Sequence, residues 1–334
     1  MKVTGSSDLG RLAALKRSTA ETRAALSNAG TEMTTGLRSS RYEATAGNIT
    51  RIFAIERSLD RNAVFANTIA LTEVRVDTAQ HALGLILAPL QELSAALPSA
   101  VSMGDAQASM VHARSARNAF TDTVNALNTQ SGGLSLFAGI ATDGPALAPA
   151  ATILAELDGL AGGAATPAAA IAAVNAYFAP GGGFFATGYL GAATDPAAVD
   201  VGEGRRLDYA IRADAAELVD ALRSQALAAV VAGGAFDGDL AAQREILAAA
   251  GAAMLGAKEG ILDLRSALGV TQQALETAKA ARTAEKDTLD LARNAILTVD
   301  PTEAASVFQA LETQLETIFT VTARLSELNY AKYM

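Results

Sequence analysis

Residues 299–328 read VDPTEAASVFQALETQLETIFTVTARLSEL, and this stretch decides what the rest of the chain must supply. Asp300 is a good N-cap. Pro301 suits the first helical position, where its missing N–H has no partner to lose. Glu303 stands where a side chain reaches back to the cap amide. Phe308, Leu311, Leu315, Ile318, Thr322 and Leu325 then step by three and four residues, with Leu328 beside them. This is a heptad seam, the apolar edge of a long helix that needs a partner helix.

Upstream, the pattern from Asp239 to Thr298 is helical and free of Pro. At about 1.5 Å per residue such a helix spans about 90 Å, far more than a compact domain needs. Gly251, Gly256, Gly260 and Gly269 weaken it locally, by about 1 kcal/mol each relative to Ala. The other end of the chain has the same character. A helix is expected from Asp8 to Thr35, with Leu12, Leu15, Thr19, Thr22, Leu26, Ala29 and Met33 on its seam and Gly36 as its stop. A long helix then begins near Ala46, its recurring face set by Ile69, Val76, Leu83, Leu87, Leu90 and Leu97. Pro89 and Pro98 predict a kink or break, because each lacks an amide donor and crowds the preceding turn. Another helix is expected from Asp105 to Asn128, before Ser131-Gly132-Gly133.

The middle differs. From Ser135 to Arg205 it is rich in Gly, Ala and Pro. Val199, Val201, Leu207, Tyr209 and Ile211 alternate around Gly202-Glu203-Gly204, which reads as a hairpin turn. The expected architecture is mainly α. Long terminal helices form a coiled-coil-like bundle over 1–134 and 206–334, and a small mixed α/β domain is inserted over 135–205.

Composition removes several functions. The 334 residues are 50% hydrophobic but only 5% aromatic, without Trp, and Ala carries much of the apolar count. That mix suits long, closely packed helices. A formal net charge of −9 with no basic cluster argues against nucleic acid. The absence of Cys removes disulfides, thiolate catalysis and Cys-ligated zinc. The N-terminal segment lacks an apolar signal-peptide core, and no 18-residue apolar span is free of charge and breakers, so membrane insertion is not expected.

Chemistry is sparse as well. His81 and His112 lack metal-ligand spacing. Gly202-Glu203-Gly204 lacks the continuation of a phosphate loop. Asp237-Gly238-Asp239 reads as a turn and helix cap rather than a calcium loop. No cofactor and no catalytic residue is expected. The seams admit two readings: an intramolecular bundle, or a surface completed by neighbouring subunits.

Particular segments carry a resemblance to the flagellin superfamily. Ala29-Gly30-Thr31-Glu32-Met33-Thr34-Thr35-Gly36-Leu37-Arg38 is similar to the element that follows the family's first helix. Val299 to Ala305 resembles its entry to the last helix. Gly132-Gly133-Leu134-Ser135-Leu136-Phe137-Ala138-Gly139, with Thr142-Asp143-Gly144-Pro145, is similar to a passage of the hook–filament junction proteins, the hook-associated protein 3 family. So is the tail Leu325-Ser326-Glu327-Leu328-Asn329-Tyr330. The stretch from Ser39 to Gly47 keeps the Ala-Gly of flagellins but lacks their paired Asp, which favours a junction protein over filament flagellin.

The resemblance implies a structural subunit, exported by the flagellar type III route and assembled outside the cell. It implies hook-associated protein 1 and flagellin as neighbours, copies of itself alongside, and an export chaperone over the C-terminal seam. The assembly interface would be Leu12, Leu15, Leu26 and Met33 on the first helix, and Phe308, Leu311, Leu315, Ile318, Leu325 and Leu328 on the last. Filament flagellin is the alternative. A small-molecule enzyme with its site in the middle domain is the reading from another class, and a coiled-coil signalling protein a further one.

Overall fold

The computed structural model describes residues 4–45 and 49–331, and their side chains except at 4–9, 11, 12, 41, 43 and 325–331. In chain order the elements are α1 (Thr4–Thr35), α2 (Arg41–Ala44), α3 (Thr50–Met103), α4 (Ala106–Leu127), β1 (Gln130–Ser131), β2 (Leu134–Ser135), α5 (Ala150–Gly162) and α6 (Pro167–Phe178). A π-helical turn (Phe184–Gly188), β3 (Val199–Gly202), β4 (Arg205–Leu207), α7 (Ala216–Ala232), α8 (Leu240–Leu297) and α9 (Pro301–Ala331) follow. The fold is mainly α. Among the described residues the only strands form two antiparallel hairpins, β1–β2 and β3–β4.

Contacts divide the chain into two compact units, Met1–Ala63 with Thr283–Met334, and Val64–Arg282. The divisions fall within α3 and α8. The composition boundaries near 134 and 205 both lie inside the second unit, where long helices give way to short elements.

Local chemistry explains the boundaries. Asp105 caps α4 by accepting from the Ala108 N–H at 2.9 Å. Asp239 caps α8, accepting from the N–H groups of Ala241 and Ala242 at 3.1 and 3.0 Å. It follows Gly238, whose φ of +83° makes the turn. Thr166 caps α6 just ahead of Pro167. The turn expected at Gly202–Gly204 joins β3 to β4, with Val199 opposite Leu207 and a bulge near Gly202. The helical pattern expected from residue 206 begins only at Ala216, because Arg205–Leu207 pair as a strand. The start expected near Ala46 lies partly outside the described residues, and α3 begins at Thr50.

Pro89 and Pro98 do not break α3, which runs continuously past both to Met103. At Pro98 packing offsets the missing donor. A Cβ added to Gly251 of α8 would stand 2.7 Å from Cγ of Pro98, so the proline ring occupies the notch that this glycine leaves. The cost of Gly251 to α8 is thus the condition for close helix packing.

The core of the second unit follows the heptad reading. Ile69, Val76, Leu83, Leu90 and Leu97 of α3 are buried, with Leu87. They join one cluster with Ile261, Leu268 and Leu275 of α8, again seven residues apart, and with Phe120 of α4 and Leu222 of α7. Polar pairs flank this seam. Glu73 meets Lys279, Asp77 accepts from Gln272, and Gln80 donates to the Arg265 carbonyl. As α3 numbers rise, their α8 partners fall, so the two helices run antiparallel. α4 packs on α7, and α5 and α6 pack on each other and on α7. Arg117 of α4 holds Asp158 of α5 by two hydrogen bonds, 2.9 and 2.6 Å, and donates to the Ala229 carbonyl of α7.

Candidate assembly interface

The site expected from the sequence is the pair of terminal helices, and α1 does pack on α9. The pairing starts at a backbone pin. Gly36 ends α1 with φ +68°, a conformation that favours glycine. The chain then runs past Leu37, which forms an antiparallel bridge with Thr298. Arg38 N–H donates to the Leu297 carbonyl at 2.7 Å, and Val299 N–H to the Gly36 carbonyl at 2.9 Å. The two motifs singled out in the sequence, around Gly36 and around Asp300, therefore meet. Glu32 secures the turn by accepting from Ser39 N–H at 2.7 Å, and the Ser39 hydroxyl donates to the Asn28 carbonyl.

From the pin the helices run antiparallel. Gly30 faces Phe308: a Cβ there would lie 3.3 Å from the ring. Further along, the Arg23 guanidinium sits 5.3 Å from the centroid of Phe319. Small or polar residues fill the closest positions, with Thr22, Ala29 and Ala304 buried. The polar seam positions are satisfied locally. Thr19 donates to the Leu15 carbonyl at 2.8 Å and Thr322 to the Ile318 carbonyl at 2.6 Å.

The large seam residues are only partly covered. Leu15 and Leu26 of α1 and Phe308, Leu311, Leu315 and Ile318 of α9 are all intermediate in exposure. Met33 is exposed at 43%. The side chains of Leu12, Leu325 and Leu328 lie outside those described. Of the two readings of the seams, each helix finds the other as partner within the chain, and both keep apolar side chains half in solvent. Gly30, Leu37 and Thr298 join this site without having been named as interface residues. The signal available was Gly30 beside Ala29, a small pair that invites a large side chain from the facing helix.

Asp300 caps α9, accepting from Thr302 N–H at 2.8 Å. That amide, helped by the Glu303 amide, holds the Asp300 carboxyl below its ordinary value, since both hydrogen bonds favour the charged form. Glu303 acts here through its backbone. Among the described residues no hydrogen bond runs from its side chain to the cap amide, so the reciprocal box expected from the sequence is half formed.

The middle segment has an open groove of about 610 Å³ beside the π-helical turn, lined by Glu156, Leu160, Ala173 and Tyr177 among others. Tyr177 donates to Glu156 at 2.9 Å, and burial with this carboxylate pushes its phenol well above the ordinary range. That chemistry anchors α6 to α5. Among the described residues no group of three or more His, Cys, Asp or Glu could hold a metal ion. His81 is exposed and His112 half-buried.

Residues 252–334 match the family described as the bacterial flagellin C-terminal helical region. No curated protein matches the chain in sequence. Solved structures share its fold. The crystal structure of Bacillus cereus FlgL superposes with a TM-score of 0.51 at 16% identity, covering 72% of this chain and 98% of that one. A protein assigned as a flagellar hook-associated protein from Vibrio parahaemolyticus superposes with a TM-score of 0.51 at 14% identity, covering 74% and 96%. The C-terminal part of the chain is thus similar to the flagellin C-terminal helical region, and nearly three quarters of the chain shares the fold of these two structures.

Proposed function

We infer, from the match of residues 252–334 to the flagellin C-terminal helical region, that this protein is a structural subunit of the bacterial flagellum at the hook–filament junction, assembling through its terminal helices. The observation that carries this reading is the half-covered seam on α1 and α9, together with a fold shared with FlgL and a hook-associated protein. Two helices cover only one side of each other. The remaining apolar edge gains burial when neighbouring subunits add theirs, and association then supplies free energy that the isolated pair lacks.

In this reading hook-associated protein 1 lies on the hook side, flagellin on the filament side and copies of the chain alongside. An export chaperone covers the α9 seam in the cytoplasm, and the flagellar type III route carries the chain outward. The role is one of fitting surfaces together rather than of catalysis.

The test is Leu311→Asp with Leu315→Asp. A carboxylate pressed against an apolar partner is costly unless paired, so docking fails while the Val64–Arg282 unit keeps its fold. Cells then carry hooks without attached filaments and shed flagellin monomers into the medium. Normal swimming by this variant rejects the junction role of α9. Bare hooks with the variant chain itself as the shed filament protein point to a filament subunit instead.

A further inference from the structure

We propose that the Val64–Arg282 unit carries a binding site for a small carboxylate ion, held by Arg75 of α3 together with the hydroxyls of Ser135 and Tyr209. The site involves no residue of the terminal helices, and neither it nor the junction reading depends on the other.

A cavity of about 80 Å³ lies where α3, β2 and the segment after β4 meet, lined by Arg75, Ser135, Thr142, Pro196 and Tyr209 among others. A water takes up about 30 Å³ of liquid, so the space suits a group of a few heavy atoms and is too small for a nucleotide or a sugar. Its chemistry is one-sided. Among the described residues of the lining Arg75 carries a charge and no carboxylate accompanies it. The guanidinium donates to the Tyr209 hydroxyl at 2.9 Å, a neutral partner that leaves the positive charge unmatched. The neighbouring acids of α3 are engaged elsewhere. Glu73 meets Lys279 and Asp77 accepts from Gln272, and residues two apart on a helix do not face each other. Asp143 and Asp208, next in sequence to Thr142 and Tyr209, are exposed to solvent and do not line the cavity.

The hydroxyls call for the same ligand. Ser135 is 5% exposed, and its Oγ is buried without a hydrogen-bond partner among the described residues. A buried hydroxyl left unpaired costs free energy that an acceptor recovers. Tyr209 accepts from Arg75, so its own proton remains to be donated. The ligand is therefore one that only accepts, carries a single negative charge and is planar enough for the guanidinium fork, which describes an ionised carboxylate. A phosphate brings more negative charge than one arginine balances.

The full chain is titrated with sodium acetate at neutral pH, against sodium chloride of equal ionic strength. The backbone amide shifts of Ser135 and Thr142 and the thermal unfolding midpoint are followed. Acetate is expected to give saturating shifts and a rising midpoint, since a ligand bound only by the folded chain stabilises it. Arg75→Gln is expected to weaken binding by about tenfold or more, through loss of the charge-assisted fork. Ser135→Ala separates binding from folding. Without acetate it melts no lower than wild type, because an orphaned hydroxyl is removed, yet its acetate response is weakened. Shifts that grow linearly without saturating, or that are equal in wild type and Arg75→Gln, would overturn the site. Saturation by inorganic phosphate and not by acetate would overturn the choice of a carboxylate. Should Arg75→Gln fail to fold, Ser135→Ala and Tyr209→Phe decide: a full acetate response in both rejects the proposal.

Discussion

In α3 the stripe Ile69, Val76, Leu83, Leu90 and Leu97 is fully covered, whereas in α9 the stripe Phe308, Leu311, Leu315 and Ile318 is half-covered. The two patterns are the same in the sequence. What differs is the number of elements that complete them. The α3 stripe lies in one cluster with α4, α7 and α8, so each side chain is enclosed. The α9 stripe has α1, and α1 places Thr19, Thr22 and Ala29 where larger apolar residues would cover more. Heptad spacing tells that a partner exists, and the size of the facing residues tells how completely that partner finishes the job.

This contrast is broken most sharply by truncating one side chain in each region. Phe120→Ala, in the enclosed core, is expected to cost about 3–5 kcal/mol in urea unfolding, because it leaves a cavity. Leu315→Ala is expected to cost about 1 kcal/mol in the isolated chain, while filament attachment suffers disproportionately. Equal destabilisation by the two would show that the terminal seam is already closed without neighbours.

Next in size is the clamp between α4, α5 and α7. A Cβ on Gly233 would collide with the Asp158 carboxylate, so Gly233→Ala is expected to displace it from Arg117. Both partners of this pair are less than one-third exposed, and losing a charged hydrogen-bonded pair costs about 1.5–3 kcal/mol. A midpoint in urea unchanged from wild type would show that the clamp contributes nothing.

Asp300→Ala tests the weaker region at its pin. Amides in the first turn of α9 are expected to exchange faster, with the core of the second unit unaffected. The pH dependence has a definite sign. The Asp300 carboxyl is held below its ordinary 3.8 in the folded chain, so its contribution is full above that value and is lost as pH falls through the lowered one. First-turn exchange that follows the same pH course in wild type and variant would remove the cap from the account.

The smallest effect is spectroscopic. Tyr189 lies in the enclosed unit, and burial pushes its phenol up to about 12, with Asp214 adding to the shift. A raised phenol contributes stability that is full below its ordinary value of 10.0 and is lost as pH rises toward 12. Ultraviolet titration of wild type against Tyr189→Phe should assign an ionisation near 12 to this residue. Ionisation near 10 would mean that its surroundings are open to water.

Much of this was legible in the residues. The buried face of α3, the helical run of α8, the caps Asp239 and Asp300, and the turn at Gly202–Gly204 follow from spacing and turn chemistry, which act locally. Pro98 was not legible, because its tolerance depends on Gly251, about 150 residues away in sequence. The half-formed box at Glu303 was hidden for a related reason: the pattern permits a side-chain bond that the folded geometry need not make. The seam residues were legible as apolar edges, but their half-covered state depends on which helix faces them, and spacing alone does not name it.

The bridge between Leu37 and Thr298 fixes where the outer ends of α1 and α9 lie. Since α1 and α9 are nearly equal in length and run antiparallel from that pin, Thr4 and Ala331 lie toward the same far end of the helix pair. A short flexible linker could therefore join the two ends, with new termini opened at the positive-φ turn of Gly181. Such a circular permutant keeps every helix–helix contact of the pair while leaving it no free helix ends. It would convert a seam closed by two independent segments into one closed by a continuous hairpin, and show how far freedom of the ends, rather than the seam itself, governs when the subunit docks.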